Sequence, residues 1–200
     1  MSEASDPQTT GLRERKKART RQLIQEHGLR LFREQGYEAT TVQQIIDAAE
    51  VSESTFFRYF PTKAEVVLVD DFDPILVSSF LAQPPGLTAI QALRASFRDT
   101  FGALSDDETA AMKERNELVV TVPELRAAML DQLSSTMQVL GEAVAQRTGR
   151  PPNDPAVRTL VGAVVGVAVA VELVLFDDPT ADLVALLDEA MGQLEAGLRL

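Results

Sequence analysis

The sequence predicts an all-α protein: an N-terminal three-helix helix-turn-helix domain followed by a C-terminal helical bundle. Three observations carry this. Across 200 residues with 45% apolar content, apolar–polar alternation of the β kind is almost absent. Two short segments, 42–49 and 53–60, each follow a capping residue and carry one apolar stripe, too little surface to stand alone. From Ile90 onward, apolar residues recur at spacings of three and four.

The first helix is expected from about Leu12 to Gln35, stopped by Gly36, with Leu23, Ile24, Gly28, Leu31 and Phe32 facing the short helices. Thr41 and Gln44 have the spacing of a capping box, after which Val42, Ile45, Ile46 and Ala49 fall on one face. Ser52 caps a third helix, anchored by Val51; Phe56 and Phe60, one turn apart, turn inward and leave Glu53, Ser54, Phe57 and Arg58 outward. Thr62 and Glu65 repeat the capping-box spacing and place Lys63 in the first turn of a fourth helix, where free N–H groups favour a phosphate. That helix is expected to run from Pro61 towards Leu81, kinked at Pro74.

Gln83-Pro84-Pro85-Gly86 breaks the chain. A fifth helix follows with Ile90, Leu93, Phe97, Phe101 and Leu104, then a sixth from about Asp106 to Val120. A seventh begins after Pro123 and carries Leu125, Met129, Leu133, Met137, Leu140 and Val144, up to Gly149. Asp154-Pro155 opens an eighth, to about Phe176, and Thr180 caps a ninth with Leu183, Leu187, Leu194 and Leu198. The expected division is 1–60, with 1–11 a flexible tail, and 61–200.

Composition narrows the chemistry. With no cysteine and one histidine, His27, disulfides, thiolate catalysis and multi-His metal sites drop out, and a di-iron site lacks its Glu-x-x-His pairs. No nucleophile motif or Gly-rich phosphate loop appears, so neither an enzyme nor a bound cofactor is expected, and His27 is given no role. The polar residues 1–10 lack the apolar stretch of a signal peptide, which with the missing cysteine fits the cytoplasm.

The net charge of −11 is unevenly spread. Residues 1–63 hold ten Lys/Arg and nine Asp/Glu, leaving nine and twenty-one for the rest. Within the first part, Arg13, Arg15, Lys16, Lys17, Arg19 and Arg21 form a basic run, which is either a solvated helix face or, beside a helix-turn-helix, a contact for phosphates or a minor groove.

The eighth helix is the most apolar stretch, nearly so all round over Val161–Val171. It is short for a membrane span, contains Glu172 and lacks basic flanks, so a buried helix is expected. Gly162, Gly166 and Ala170 at four-residue spacing let another helix approach closely, which suits a two-fold interface built with the ninth helix, Leu187 and Leu194 included. An ordinary intrachain core helix is the other reading. On the sixth helix Arg115 and Asn116 share a stripe with Met112 and Val119, so polar heads project towards apolar surroundings. Either they meet the polar end of an amphipathic ligand among Phe97, Phe101, Met129, Leu133 and Met137, or Arg115 pairs with Glu172.

Over about residues 13 to 68 the chain resembles the TetR family of transcriptional regulators, through Gly36-Tyr37, Thr40-Thr41-Val42, Ile45, Ala49, Val51-Ser52, Thr55 and the run Phe57-Arg58-Tyr59-Phe60 to Lys63. It departs where the family favours other residues, at Ile46, Glu50, Ser54 and Phe57. Phe57 lacks the hydroxyl usual there, and Glu50 is expected to strain a turn that suits glycine. The resemblance implies a homodimeric repressor whose third helix enters successive major grooves of a palindromic double-stranded operator. It would be released when a small hydrophobic or amphipathic effector binds the C-terminal domain, with the fourth helix as lever. Ser52, Glu53, Ser54, Thr55, Phe57 and Arg58 would then lie near base edges, and Thr41, Tyr59, Lys63, Arg13, Lys16, Lys17 and Arg19 on phosphates. The stretch Arg115–Arg126 is similar to the mycofactocin-regulator group of TetR-like proteins, which implies an acyl-CoA or related effector. A sensor or adaptor of this fold without a specific operator is the alternative.

Overall fold

The computed structural model describes residues 7–69 and 72–198, with side chains from Arg15 onward in the first helix. Among the described residues every regular element is a helix. The chain divides into two compact units, Met1–Val69 and Asp70–Leu200.

The first unit holds α1 (Pro7–Gln35), α2 (Val42–Ala48), α3 (Glu53–Tyr59) and α4 (Glu65–Leu68). Its core is Ile24, Phe32, Tyr37, Ile45, Ile46, Phe56, Phe60, Val66 and Val67, all buried. Leu23 departs from the expected inward face: it is 38% exposed, because the inward stripe runs through Ile24, Gly28 and Phe32 at intervals of four. A methyl at Gly28 would stand 2.6 Å from Val66 Cγ1 and 3.6 Å from Ile45 Cδ1, so the missing side chain is what lets α4 and α2 close on α1. Gln25 Nε2 donates to the carbonyls of Val66 (3.3 Å) and Val69 (2.6 Å) and so satisfies the end of α4.

Three expectations need correction here. The division falls after Val69 and not after residue 60, because α4 packs on α1 through Val66 and Val67. Nor does one helix run from Pro61 to Leu81: Val69 leaves the helical conformation (φ −80°, ψ 122°) and helix resumes at Phe72. Pro74 is therefore the third described residue of α5 (Phe72–Ala82), near a helix start, where a missing N–H is tolerated. The expected tail is also shorter than 1–11, since α1 is already helical from Pro7; residues 1–6 lie outside those described.

The second unit continues with α6 (Ala89–Gly102), α7 (Asp106–Thr121), α8 (Pro123–Thr148), α9 (Pro155–Asp177) and α10 (Leu183–Glu195). α6 packs between α5 and α10, and α9 lies against α7, α8 and α10. Capping boxes open α6 (Thr88 with Gln91) and α7 (Ser105 with Glu108). α10 is capped by Asp182, which accepts from Val184 N and Ala185 N; Thr180, expected in that role, instead bonds the Asp178 carboxylate within the preceding turn.

Two arginines fix this bundle. Arg147 of α8 donates to the carbonyls of Phe80 (3.3 Å), Gln83 (3.0 Å), Pro84 and Leu87 (3.4 Å), closing the end of α5 and the Pro84-Pro85 loop. Arg94 of α6 forms a bidentate pair with Asp188 of α10 (2.9 and 2.7 Å), reaches Glu195 at 3.2 Å, and lies over Gly192, where a side chain would crowd it at 3.2 Å. Arg98 joins Asp188 as well. Hydrogen bonds from Arg94 and then Arg98 hold the Asp188 carboxyl well below the usual carboxylate range.

Candidate nucleic-acid interface

The first unit presents α3 on a framework of satisfied polar groups. Thr41 N-caps α2 in the expected capping box, with Thr41 N donating to Gln44 Oε1 at 2.8 Å. Gln35 at the end of α1 donates from Nε2 to Thr40 Oγ1 and to Gln44 Oε1, both at 3.1 Å, and Thr40 Oγ1 donates to Gly36 O at 2.8 Å. The α1–α2 loop is thereby tied to both helices, a role for Gln35 that its sequence position does not announce.

The α2–α3 turn is a Schellman motif: Val51 N reaches Ile46 O (3.2 Å) and Glu50 N reaches Asp47 O (3.3 Å). Its left-handed residue is Glu50, at φ 52°, so the strain expected there is present. Ser52 then caps α3 by accepting from Thr55 N. Phe56 and Phe60 are fully buried, while Glu53, Ser54, Phe57 and Arg58 are exposed and Thr55 and Tyr59 half-buried. Phe57 meets the edge of Phe56 at 5.3 Å, and the Arg58 guanidinium lies 5.0 Å over the Tyr59 ring. Lys16, Lys17 and Arg19 are exposed on α1; the side chain of Arg13 lies outside the described residues.

Lys63 departs from expectation. It precedes α4 in a turn, and its ammonium donates to Tyr37 O (2.9 Å) and Thr40 O (3.1 Å) while lying 4.1 Å over the Tyr37 ring. Two of its three donors hold the α1–α2 loop, so its first task is structural. The expected Thr62–Glu65 contacts do form, with Glu65 N bonded to Thr62 Oγ1 at 3.3 Å, although helix begins only at Glu65.

In the second unit the residues expected to meet a ligand spread over α6, α7, α8 and α9. Phe97 is buried and stacks on Phe101 at 5.9 Å, and Phe101 meets Phe72 at 5.3 Å. Arg115 lies 5.8 Å over Phe72, while Asn116 Nδ2 donates to the backbone carbonyl of Glu172 at 3.1 Å. Glu172 is an exposed residue of α9, which corrects its expected place in apolar surroundings. Met112, Met129 and Leu133 are half-buried, Val119 is buried, and Met137 is 40% exposed. A cavity of about 270 Å³ lies between α5, α6 and the start of α7, lined by Phe72, Ile75, Thr100 and Leu104 among others. The Thr100 hydroxyl there is buried without a hydrogen-bond partner.

α9 is not buried all round, as expected, but on one face only. Val157, Val161, Val164, Val165, Val171 and Leu175 enter the core, whereas Gly166, Ala170, Leu173 and Val174 are exposed, the last two at 52% and 45%. A Cβ at Gly162 or Gly166 would meet nothing within 4 Å. Leu187 departs from its expected place on an interface, being buried in its own chain's core, and Leu194 is half-buried against that core.

This architecture, a capped helix-turn-helix unit followed by a separate helical bundle, is that of a bacterial DNA-binding regulator. Residues 24–69 match the model of bacterial regulatory proteins of the tetR family, and residues 87–199 match that of the MftR C-terminal domain. The chain belongs to the TetR family of transcriptional regulators. It is 36% identical over 178 residues to the HTH-type transcriptional regulator TcmR of Streptomyces glaucescens, covering 82% of this chain and 79% of that protein. It is 26% identical over 191 residues to the mycofactocin biosynthesis transcriptional regulator MftR of Mycobacterium tuberculosis, covering 92% and 93%. Among solved structures, a TetR-family regulator from Syntrophomonas wolfei superposes with a TM-score of 0.63 at 19% identity, covering 92% of this chain and 98% of that one. The Thermus thermophilus repressor FadR, solved with lauroyl-CoA, gives 0.53 at 22%, covering 90% and 95%; these two share the fold. Its relatives are regulators and not enzymes.

Proposed function

We propose that the protein is a cytoplasmic homodimeric repressor that binds a palindromic operator through α3 of each subunit and is released by a small hydrophobic or amphipathic molecule. The outward face of α3 carries this reading. Glu53, Ser54, Phe57 and Arg58 are exposed on a helix whose inner face, caps and entry turn are otherwise fully engaged. Lys16, Lys17 and Arg19 supply charge for the DNA backbone, with the Thr41 and Tyr59 hydroxyls as further phosphate contacts. The uncovered apolar face of α9, with small residues at Gly162, Gly166 and Ala170, supports the two-fold association.

For the effector, the ring series Phe97, Phe101 and Phe72, with Arg115 over Phe72, supplies apolar surface beside a cation. FadR from Thermus thermophilus binds lauroyl-CoA, and an acyl-CoA is the first ligand to try. The cavity between α5, α6 and α7, about 270 Å³, is smaller than the roughly 300–1,000 Å³ of drug-sized pockets.

The test is binding to the DNA beside the protein's own gene at 50 and 200 mM salt. With about six phosphates neutralised per dimer, affinity is expected to fall roughly 10³-fold between the two. Arg58→Ala should weaken the complex, and lauroyl-CoA should release it. Weak binding of equal strength to any duplex would sink the operator reading.

A further inference from the structure

We propose that Glu53 selects a cytosine in each half-site by accepting a hydrogen bond from its N4 amino group in the major groove. The assignment rests on the reading of α3 as the recognition helix. Glu53 is exposed in the first turn of α3, and among the described residues no hydrogen bond or ion pair uses its carboxylate. Of its acidic neighbours, Asp47 accepts from Gln43 Nε2 at 2.8 Å and Glu65 is bonded to Thr62, while Glu50 lies outside α3 in the turn before it. Nothing on the outward face neutralises it. Ser54 and Phe57 are uncharged, and the one cation of α3, Arg58, lies over the Tyr59 ring.

Such a group enters the groove as an acceptor with no donor of its own and among phosphates that repel it. Guanine and thymine present acceptors to it, O6 and N7 or O4. The remaining donors are the amino groups of cytosine and adenine. In its base pair the adenine amino group is flanked by two acceptors, its own N7 and thymine O4, which oppose the second carboxylate oxygen; the cytosine amino group has one, guanine O6, and is open on its other side. On guanine and thymine the carboxylate loses water and gains no partner, so selectivity arises as much from the penalty on wrong sequences as from the bond to the right one.

The experiment is selection of binding sites from randomised duplex DNA by the full-length protein and by its Glu53→Ala and Glu53→Gln variants, followed by affinities on the selected duplexes. The native protein is expected to enrich a cytosine at one position per half-site, with about a tenfold loss when that base is changed. Glu53→Ala should become indifferent at that position and keep the rest of the motif. Glu53→Gln should move the preference to adenine, whose N6 and N7 an amide matches bidentately. A motif without such a cytosine, or a cytosine preference that survives both substitutions, overturns the assignment while leaving operator binding intact. Failure to enrich any motif overturns both. Should the alanine variant be unstable, the glutamine variant, which keeps the side-chain shape, decides.

Discussion

Glu50 and Gly28 hold positions where one side chain decides the local structure, in opposite senses. At φ 52° Glu50 occupies a conformation that costs an L-residue about 1–2 kcal/mol and glycine almost nothing. Glu50→Gly is expected to stabilise the protein by about 1 kcal/mol, part of the gain being offset by glycine's greater freedom when unfolded, with a higher thermal midpoint as the readout. A lower midpoint would mean that the turn depends on a contact of the Glu50 side chain. Gly28→Ala should do the reverse, because the new methyl meets the fully buried Val66 at 2.6 Å; a loss of about 1–3 kcal/mol in denaturant unfolding is expected. The first site was legible through the resemblance to the TetR family, which favours glycine where this chain has Glu50. The second was legible only as an inward position. Lys63 was misplaced for a related reason: sequence shows a cation at the head of a helix but not the Tyr37 and Thr40 carbonyls that come within 3.1 Å of it.

Elements were read well where a local rule specifies them. The caps at Thr41, Ser52 and Asp154 and the stop at Gly149 (φ 68°) involve neighbours within a few positions, and all four appear as the spacing implied. Pro74 shows the limit, because a proline in a first turn and one in a helix interior look alike until the helix start is known. The α6–α10 junction lay beyond sequence, as Arg94 and Asp188 are ninety-four residues apart. Its energetics are testable. The Asp188 carboxyl is depressed in the folded protein, so the unfolded chain takes up a proton at higher pH than the native one. The stabilisation is therefore complete above the ordinary aspartate range near about 4 and is lost as pH falls below it. Asp188→Asn is expected to cost about 1 kcal/mol at pH 7, a figure discounted because both side chains are 29% exposed. The difference from the native protein in urea midpoints should shrink between about pH 5 and pH 2; a constant difference would assign the loss to packing instead.

For the whole molecule the deciding surface is α9. By length and composition it could cross a membrane, yet one face enters a core shared with α6, α8 and α10 while the other leaves Leu173 and Val174 half exposed beside Gly166 and Ala170. The sequence showed a helix apolar all round and could not divide it into these faces, because alanine, glycine and valine serve both. If a second copy covers the open face, a bulky cation at Gly166 stands in the interface, while its Cβ meets nothing within 4 Å in its own subunit. Gly166→Arg should then leave helicity unchanged and yield monomers in sedimentation at concentrations where the native protein is dimeric. Operator binding provides the second readout. A dimer engages its second half-site intramolecularly, at an effective concentration in the millimolar range, so separating the subunits should weaken binding to the palindrome by about 10²-fold or more. Binding to an isolated half-site should change little. A Gly166→Arg protein that remained dimeric would move the interface off this face of α9, and one that was monomeric yet bound the palindrome at native strength would dissociate operator recognition from dimerisation.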